Sequence, residues 1–152
     1  MNIVFEDYFS ELQADMVSIC MENVEKRANI IYVYCSCEKN TVASSYFYNI
    51  NGKIVSRSKL NDAISLSDKA YDVSIERQKA VTEIINENIK KIMKVCSEYK
   101  RPMPTEMKLI YHVNENSLKA EYKYENVYSE TQTKTAYDAA DEWFDEIENQ
   151  IV

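Results

Sequence analysis

From Phe5 onward, apolar residues return every three or four positions, at Phe5, Tyr8, Phe9, Leu12, Met16, Ile19 and Cys20, with acids on the remaining faces. That period is the signature of an amphipathic helix with one stripe to bury. Past Lys26-Arg27 the text becomes rich in β-branched and aromatic residues: Ile30 to Cys35, then Val42 to Asn49, then Lys53 to Lys59. Such runs favour strands, and Asn51-Gly52 between the second and third predicts a tight type I′ hairpin, because both residues tolerate positive φ. Leu60 to Asp72 reads as a polar connection. Ile75, Val81, Ile84, Ile85, Ile89, Ile92, Val95, Cys96 and Tyr99 then mark a long helix capped by Asp72 or Ser74 and ended by Pro102 and Pro104.

Glu106 to Val113 and Ser117 to Glu125 are two further strands around an Asn114-Glu115-Asn116 turn. In the second, Leu118, Ala120, Tyr122 and Tyr124 alternate with Lys119, Glu121, Lys123 and Glu125, which predicts one buried and one wet face. A Ser- and Thr-rich loop from Tyr128 to Thr135 leads to a last amphipathic helix through Tyr137, Ala140, Trp143, Phe144 and Ile147. The order α-β-β-β-α-β-β-α lacks the alternation of a parallel sheet. It predicts an α+β fold, a five-stranded antiparallel sheet with the helices packed on one face, as a single domain over residues 1–152.

Composition sharpens the picture. At 152 residues and 45% hydrophobic content the chain can bury one substantial core. No apolar run approaches the roughly 20 residues of a membrane span, and Glu6 and Asp7 stand where a secretion signal would be basic. Four cysteines are too few for a disulfide scaffold, so reduced thiols and a cytoplasmic location are expected. With Gly52 as the only glycine, a Gly-rich phosphate loop is excluded.

The net charge of −7 is unevenly spread. Residues 1–25 hold six acids and no Lys or Arg, residues 26–124 hold 17 basic and 11 acidic residues, and residues 125–152 hold eight acids against Lys134 alone. Two acidic ends argue against direct binding of nucleic acid and suit a basic protein partner. Acids on solvated helix faces also serve solubility alone.

Candidate chemistry is sparse. His112 is the single histidine and sits in a strand without a neighbouring nucleophile in sequence, so no triad is proposed. Cys35-Ser36-Cys37 with Cys20 and Cys96 could be counted as a Cys₄ zinc set, but the spacing lacks paired C-x₂₋₄-C turns, and core thiols are expected. Glu106-Met107-Lys108 and Glu121-Tyr122-Lys123 match the Glu-x-Lys element of a metal-dependent nuclease strand. Alternating charge on a solvent-facing strand gives the same letters, and no Asp lies on an adjacent strand. Asp141-Glu142 and Asp145-Glu146 have no Glu-x-x-His partner for a carboxylate-bridged metal pair, and they flank Trp143 and Phe144 as outward acids would. No metal or cofactor is expected.

Several segments carry a resemblance to a known family: Tyr71-Asp72-Val73-Ser74, the run Arg101-Pro102-Met103-Pro104-Thr105-Glu106-Met107-Lys108-Leu109-Ile110-Tyr111, the strand Ser117-Leu118-Lys119-Ala120-Glu121-Tyr122-Lys123-Tyr124, and Asp141-Glu142-Trp143-Phe144. From about Tyr32 to Glu146 the chain resembles the YezG-like immunity proteins. The resemblance implies a non-enzymatic antidote that binds the C-terminal domain of a cognate secreted bacterial toxin, typically a nuclease, in a stoichiometric complex. The family has no catalytic motif and none that fixes the contacts.

Candidate contacts therefore come from charge. A nuclease cleft is basic, so acidic helices could plug it. The candidates are Asp138, Asp141, Glu142, Asp145, Glu146 and Glu148 on the last helix, Glu11, Asp15 and Glu22 on the first, and Tyr128 and Tyr137 as aromatic anchors, unless these tyrosines pack on the sheet. Exosite binding or addition of a strand to the toxin's sheet would leave the acids uninvolved. The alternative function is a small metal-dependent nuclease or hydrolase built on the Glu-x-Lys strands.

Overall fold

The computed structural model describes residues 4–128 and 134–150. Its elements are α1 (Phe5–Asn23), β1 (Ile30–Glu38), β2 (Thr41–Ile50), β3 (Lys53–Ser56), a 3₁₀ turn (Leu60–Ala63), α2 (Ile75–Glu98), β4 (Glu106–His112), β5 (Ser117–Lys123) and α3 (Ala136–Gln150). The strands form one antiparallel sheet in the order β3-β2-β1-β4-β5. The fold is the α+β arrangement expected, in the expected element order. Residues 129–133 of the predicted loop lie outside the described residues.

The placement of the helices is corrected. They do not share a face. Ile31, Val33 and Cys35 of β1 and Tyr46 and Tyr48 of β2 pack with α1 and α2, whereas Tyr32, Tyr34 and Phe47 point the other way, against α3. The cause is in β1 itself, which is buried on both sides from Ile31 to Glu38 and so needs a cover over each. A strand exposed on one side alternates apolar with polar; an unbroken apolar run belongs to a strand covered twice.

On the two-helix face, α2 contributes Val81, Ile85, Ile89, Ile92 and Cys96, and α1 contributes Met16, Val17 and Cys20. α1 is also tied to the sheet by polar bonds. Tyr48 Oη donates to the Cys20 carbonyl at 2.8 Å and accepts from Asn23 Nδ2 at 3.2 Å. α2 starts as expected at Ser74, whose side chain accepts from the Arg77 N–H at 3.2 Å. Among the described residues, no helix is long and apolar enough to cross a membrane.

With one glycine available, the chain turns mostly on other residues. Asn51 and Gly52 both have positive φ, as the type I′ hairpin requires. The β1–β2 hairpin uses Lys39 and Asn40 in the same way. α2 stops before the prolines, at Lys100 with φ 54°, where the Arg101 N–H reaches back to the Cys96 carbonyl at 2.8 Å. That is a Schellman closure built without glycine.

β5 also departs from expectation. As an edge strand it is not half-buried: Leu118 and Tyr122 each keep 38% of their surface exposed, and Tyr124, just beyond its end, 54%.

Candidate functional site

α3 begins with a reciprocal cap. The Asp138 carboxylate accepts from the Thr135 N–H at 2.9 Å, and Thr135 Oγ1 accepts from the Asp138 N–H at 3.2 Å. This closes the first turn in the manner of a capping box. Ala136, Ala139, Ala140, Trp143 and Ile147 then face the sheet. Trp143 meets Tyr32 and Phe47 edge-on, with ring centres 5.8 and 5.1 Å away, and Phe144 meets Phe47 at 5.0 Å. The alanines let the helix approach and the aromatic rings fix its height above β2.

That inward stripe leaves the acids outside. Asp138, Asp141, Glu142, Asp145, Glu146 and Glu148 are all exposed, and the last turn carries no basic residue. Among the described residues, the only cation paired with this face is Lys134, 2.9 Å from Glu142. Acids three and four residues apart repel, and acids near a helix C-terminus oppose its dipole. The face is thus unfavourable for the free protein and favourable for a cationic visitor.

Beside it runs a groove of about 630 Å³ between α3 and β3. Tyr137, Asp141 and Glu148 line one wall, and Lys53, Arg57 and Lys59 line the other. Arg57 is held in place by donating to Ser45 Oγ at 2.9 Å and to Gln78 Oε1 at 3.2 Å. Tyr137, 57% exposed, stands free as an aromatic contact.

Tyr128 does not share that role. It is half-buried and its hydroxyl accepts from Ser36 Oγ at 3.3 Å, while the preceding Val127 N–H donates to Glu38 Oε2 at 3.1 Å. Its packing on β1 makes it a tether for the loop. Glu11, Asp15 and Glu22 are exposed as expected, but on α1 they lie across the sheet from α3. Glu22 instead lines a small α1–α2 groove with Arg77. The nine acids therefore form two separate surfaces.

The Glu-x-Lys strands are arranged differently from the sequence picture. Glu106 does not face solvent; it is 3% exposed. Tyr34 Oη donates to its Oε2 at 2.5 Å, and Lys108 Nζ and Lys123 Nζ stand 3.7 and 3.8 Å from its Oε1. An acid does lie on the adjacent strand: Glu38 of β1 is 2% exposed and follows by two residues Ser36, the register partner of Glu106. Glu38 is engaged by the Val127 N–H, and the Glu106 carboxylate by Tyr34 of β1, Lys108 of β4 and Lys123 of β5, so both serve as internal ties. Burial first, and then the bond to Glu106, push the Tyr34 hydroxyl well above the usual tyrosine range, keeping it a proton donor. Among the described residues, no group of three or more His, Cys, Asp or Glu is placed to hold a metal ion.

All four cysteines are free and buried. Burial drives the Cys20 and Cys35 thiols far above their ordinary value, so they pack as apolar groups. Cys35 and Cys37 sit on the α1–α2 face, as their i, i+2 spacing implied. His112 is half-buried at the end of β4, opposite Ile30 and Ser117. No protein-family model matches the chain, and no curated protein matches it.

Proposed function

We propose that this chain is an immunity protein: in the cytoplasm it binds the basic C-terminal domain of a cognate secreted toxin, a nuclease, and neutralises it as a stoichiometric complex. One observation carries the reading. The outer face of α3 holds six exposed acids with a single cationic partner among the described residues, and an exposed Tyr137 at its edge. The excess of acid on this helix, beyond Lys134 and the Lys53, Arg57 and Lys59 wall of the groove, raises the encounter rate with a basic cleft, and a desolvated tyrosine lengthens the residence time. The resemblance to YezG-like immunity proteins points to the same role. Tyr137, Asp141, Glu142, Asp145, Glu146 and Glu148 form the contact, and Glu11, Asp15 and Glu22 lie outside it because the sheet separates the two helices.

The test is a titration of toxin nuclease activity with the purified chain, followed by charge reversal of Asp141, Glu142, Asp145 and Glu146 to Lys. Stoichiometric loss of activity is expected, with the association rate of the reversed variant lowered by about tenfold or more at low salt. An unchanged association rate and salt dependence would remove α3 from the interface. No binding by the unmodified chain would remove the immunity role.

A further inference from the structure

β5 closes the sheet on one side with nothing beyond it among the described residues, so one row of its backbone N–H and C=O groups is unpaired. Proteins usually blunt such an edge with charge, and β5 carries Lys119 and Glu121 on the same face as its Lys123. Unlike Lys123, which reaches Glu106, neither Lys119 nor Glu121 has an ion-pair partner among the described residues. On the other face, Leu118 and Tyr122 keep more than a third of their surface exposed. Lone lysines would repel any incoming strand; alternating Lys and Glu repel some registers and reward others.

Two copies of an edge strand can join antiparallel only about a two-fold axis along the sheet normal, which keeps each face continuous and pairs residues symmetrically about one position. Centring on Lys119 or Glu121 sets like charges opposite each other. Centring on Ala120, the midpoint of Ser117–Lys123, matches all seven residues of the strand with its copy. It sets each Lys119 opposite the other copy's Glu121 and each Leu118 opposite the other copy's Tyr122. Opposite charges and apolar groups directly across an antiparallel pair stabilise it.

α1 lies over the apolar face of β5. It meets Tyr122 through Phe9, with rings 5.6 Å apart, and through Gln13, whose Nε2 donates to the tyrosine hydroxyl at 2.7 Å.

We infer that a second copy of this chain docks on β5, joining the two sheets into one of ten strands in the register centred on Ala120. α3 packs over β1, β2 and Ile54 of β3 with its acids turned outward, away from the β5 edge, so each copy keeps its own acidic face. The inference is independent of the toxin reading, and its test needs no toxin.

Sedimentation equilibrium of the purified chain over a concentration series is expected to show a species of twice the 17.8-kDa chain mass. Lys119→Glu, which faces Ile110 on β4 and disturbs no internal pair, should raise the dimer dissociation constant by about tenfold or more while leaving the far-UV circular dichroism unchanged. The exchange variant Lys119→Glu/Glu121→Lys should recover dimerisation in the register centred on Ala120, where it restores opposite charges. It does not do so in the register centred on Tyr122, because the exchange there leaves two lysines facing each other across the strands. A monomer at every concentration overturns the proposal. So does a dimer indifferent to Lys119→Glu, or an exchange variant that stays monomeric.

Discussion

The two faces of this sheet are held in unlike ways. On one, two helices bury a continuous apolar layer whose hydroxyls and thiols are enclosed: Tyr48 bonds to α1 and Cys35 Sγ donates to Met16 Sδ at 3.5 Å. On the other, one helix rests on an aromatic cluster around Trp143, and beside it the buried Glu106 carboxylate is held by Tyr34, Lys108 and Lys123. The first face is built for retention of the fold. The second carries one helix whose exposed side is mostly acid, with Tyr137, Asn149 and Gln150 set among the acids. Redundant anchoring on one side is what permits a face of unbalanced charge on the other.

The contrast can be pressed with pH. Cys20, Cys35, Tyr46 and Tyr48 all lie on the two-helix face, and burial raises each above its ordinary value. A raised acid stabilises the fold fully below its unfolded pKa; the contribution is lost as the unfolded chain ionises and the folded one does not. Stability should therefore hold to about pH 8, fall from about 9 as the thiols of the unfolded chain ionise, and fall faster beyond about 10 with the tyrosines, ending in cooperative unfolding by far-UV circular dichroism. Cys20→Ala should move that onset upward. A chain equally stable at pH 8 and pH 11 would mean these groups are not enclosed.

A smaller effect tests the single anchor. Trp143→Ala should cost about 3–5 kcal/mol. Its hydrogen exchange should show α3 amides opening while α2 stays protected, because Trp143 makes most of the aromatic contacts of α3 with the sheet, to Tyr32, Tyr34 and Phe47, and only Phe144 adds another, to Phe47. Collapse of α2 in step with α3 would show the two faces to be one cooperative unit. The smallest effect is expected on the acidic face. Glu146→Gln with Glu148→Gln relieves repulsion at the helix C-terminus and should stabilise the free protein by about 0.5 kcal/mol, raising Tm by roughly 1–2 °C, while slowing association with a basic partner.

Element order, the Asn51-Gly52 turn and the Ser74 cap were readable because each rests on local chemistry within a few residues. The one-sided packing expected of the helices was wrong: the unbroken run Ile30 to Cys35 called for cover on both faces, while the clean alternation of Leu118 to Glu125 spoke for a one-sided sheet and belongs to an edge strand. Glu106 was opaque for a different reason. A Glu-x-Lys strand reads the same whether its carboxylate meets water or Tyr34, and only the register of β1 against β4 decides. Tyr128 and Tyr137 looked alike as loop and helix tyrosines; the acceptor position for Ser36 separates them. Long-range pairing, not residue type, held the missing information.

Lys39, Asn40, Lys100 and the other non-glycine residues at positive φ have a consequence for the chain's tolerance of heat. Each Lys or Glu side chain in the left-handed region, at Glu25, Lys26, Lys39 and Lys100, holds about 1 kcal/mol of backbone strain that glycine would not, whereas the asparagines tolerate it. The turns thus contain unused thermal headroom, distributed over solvent-facing positions away from α3, where a stabilised scaffold could be obtained without touching the surface it presents.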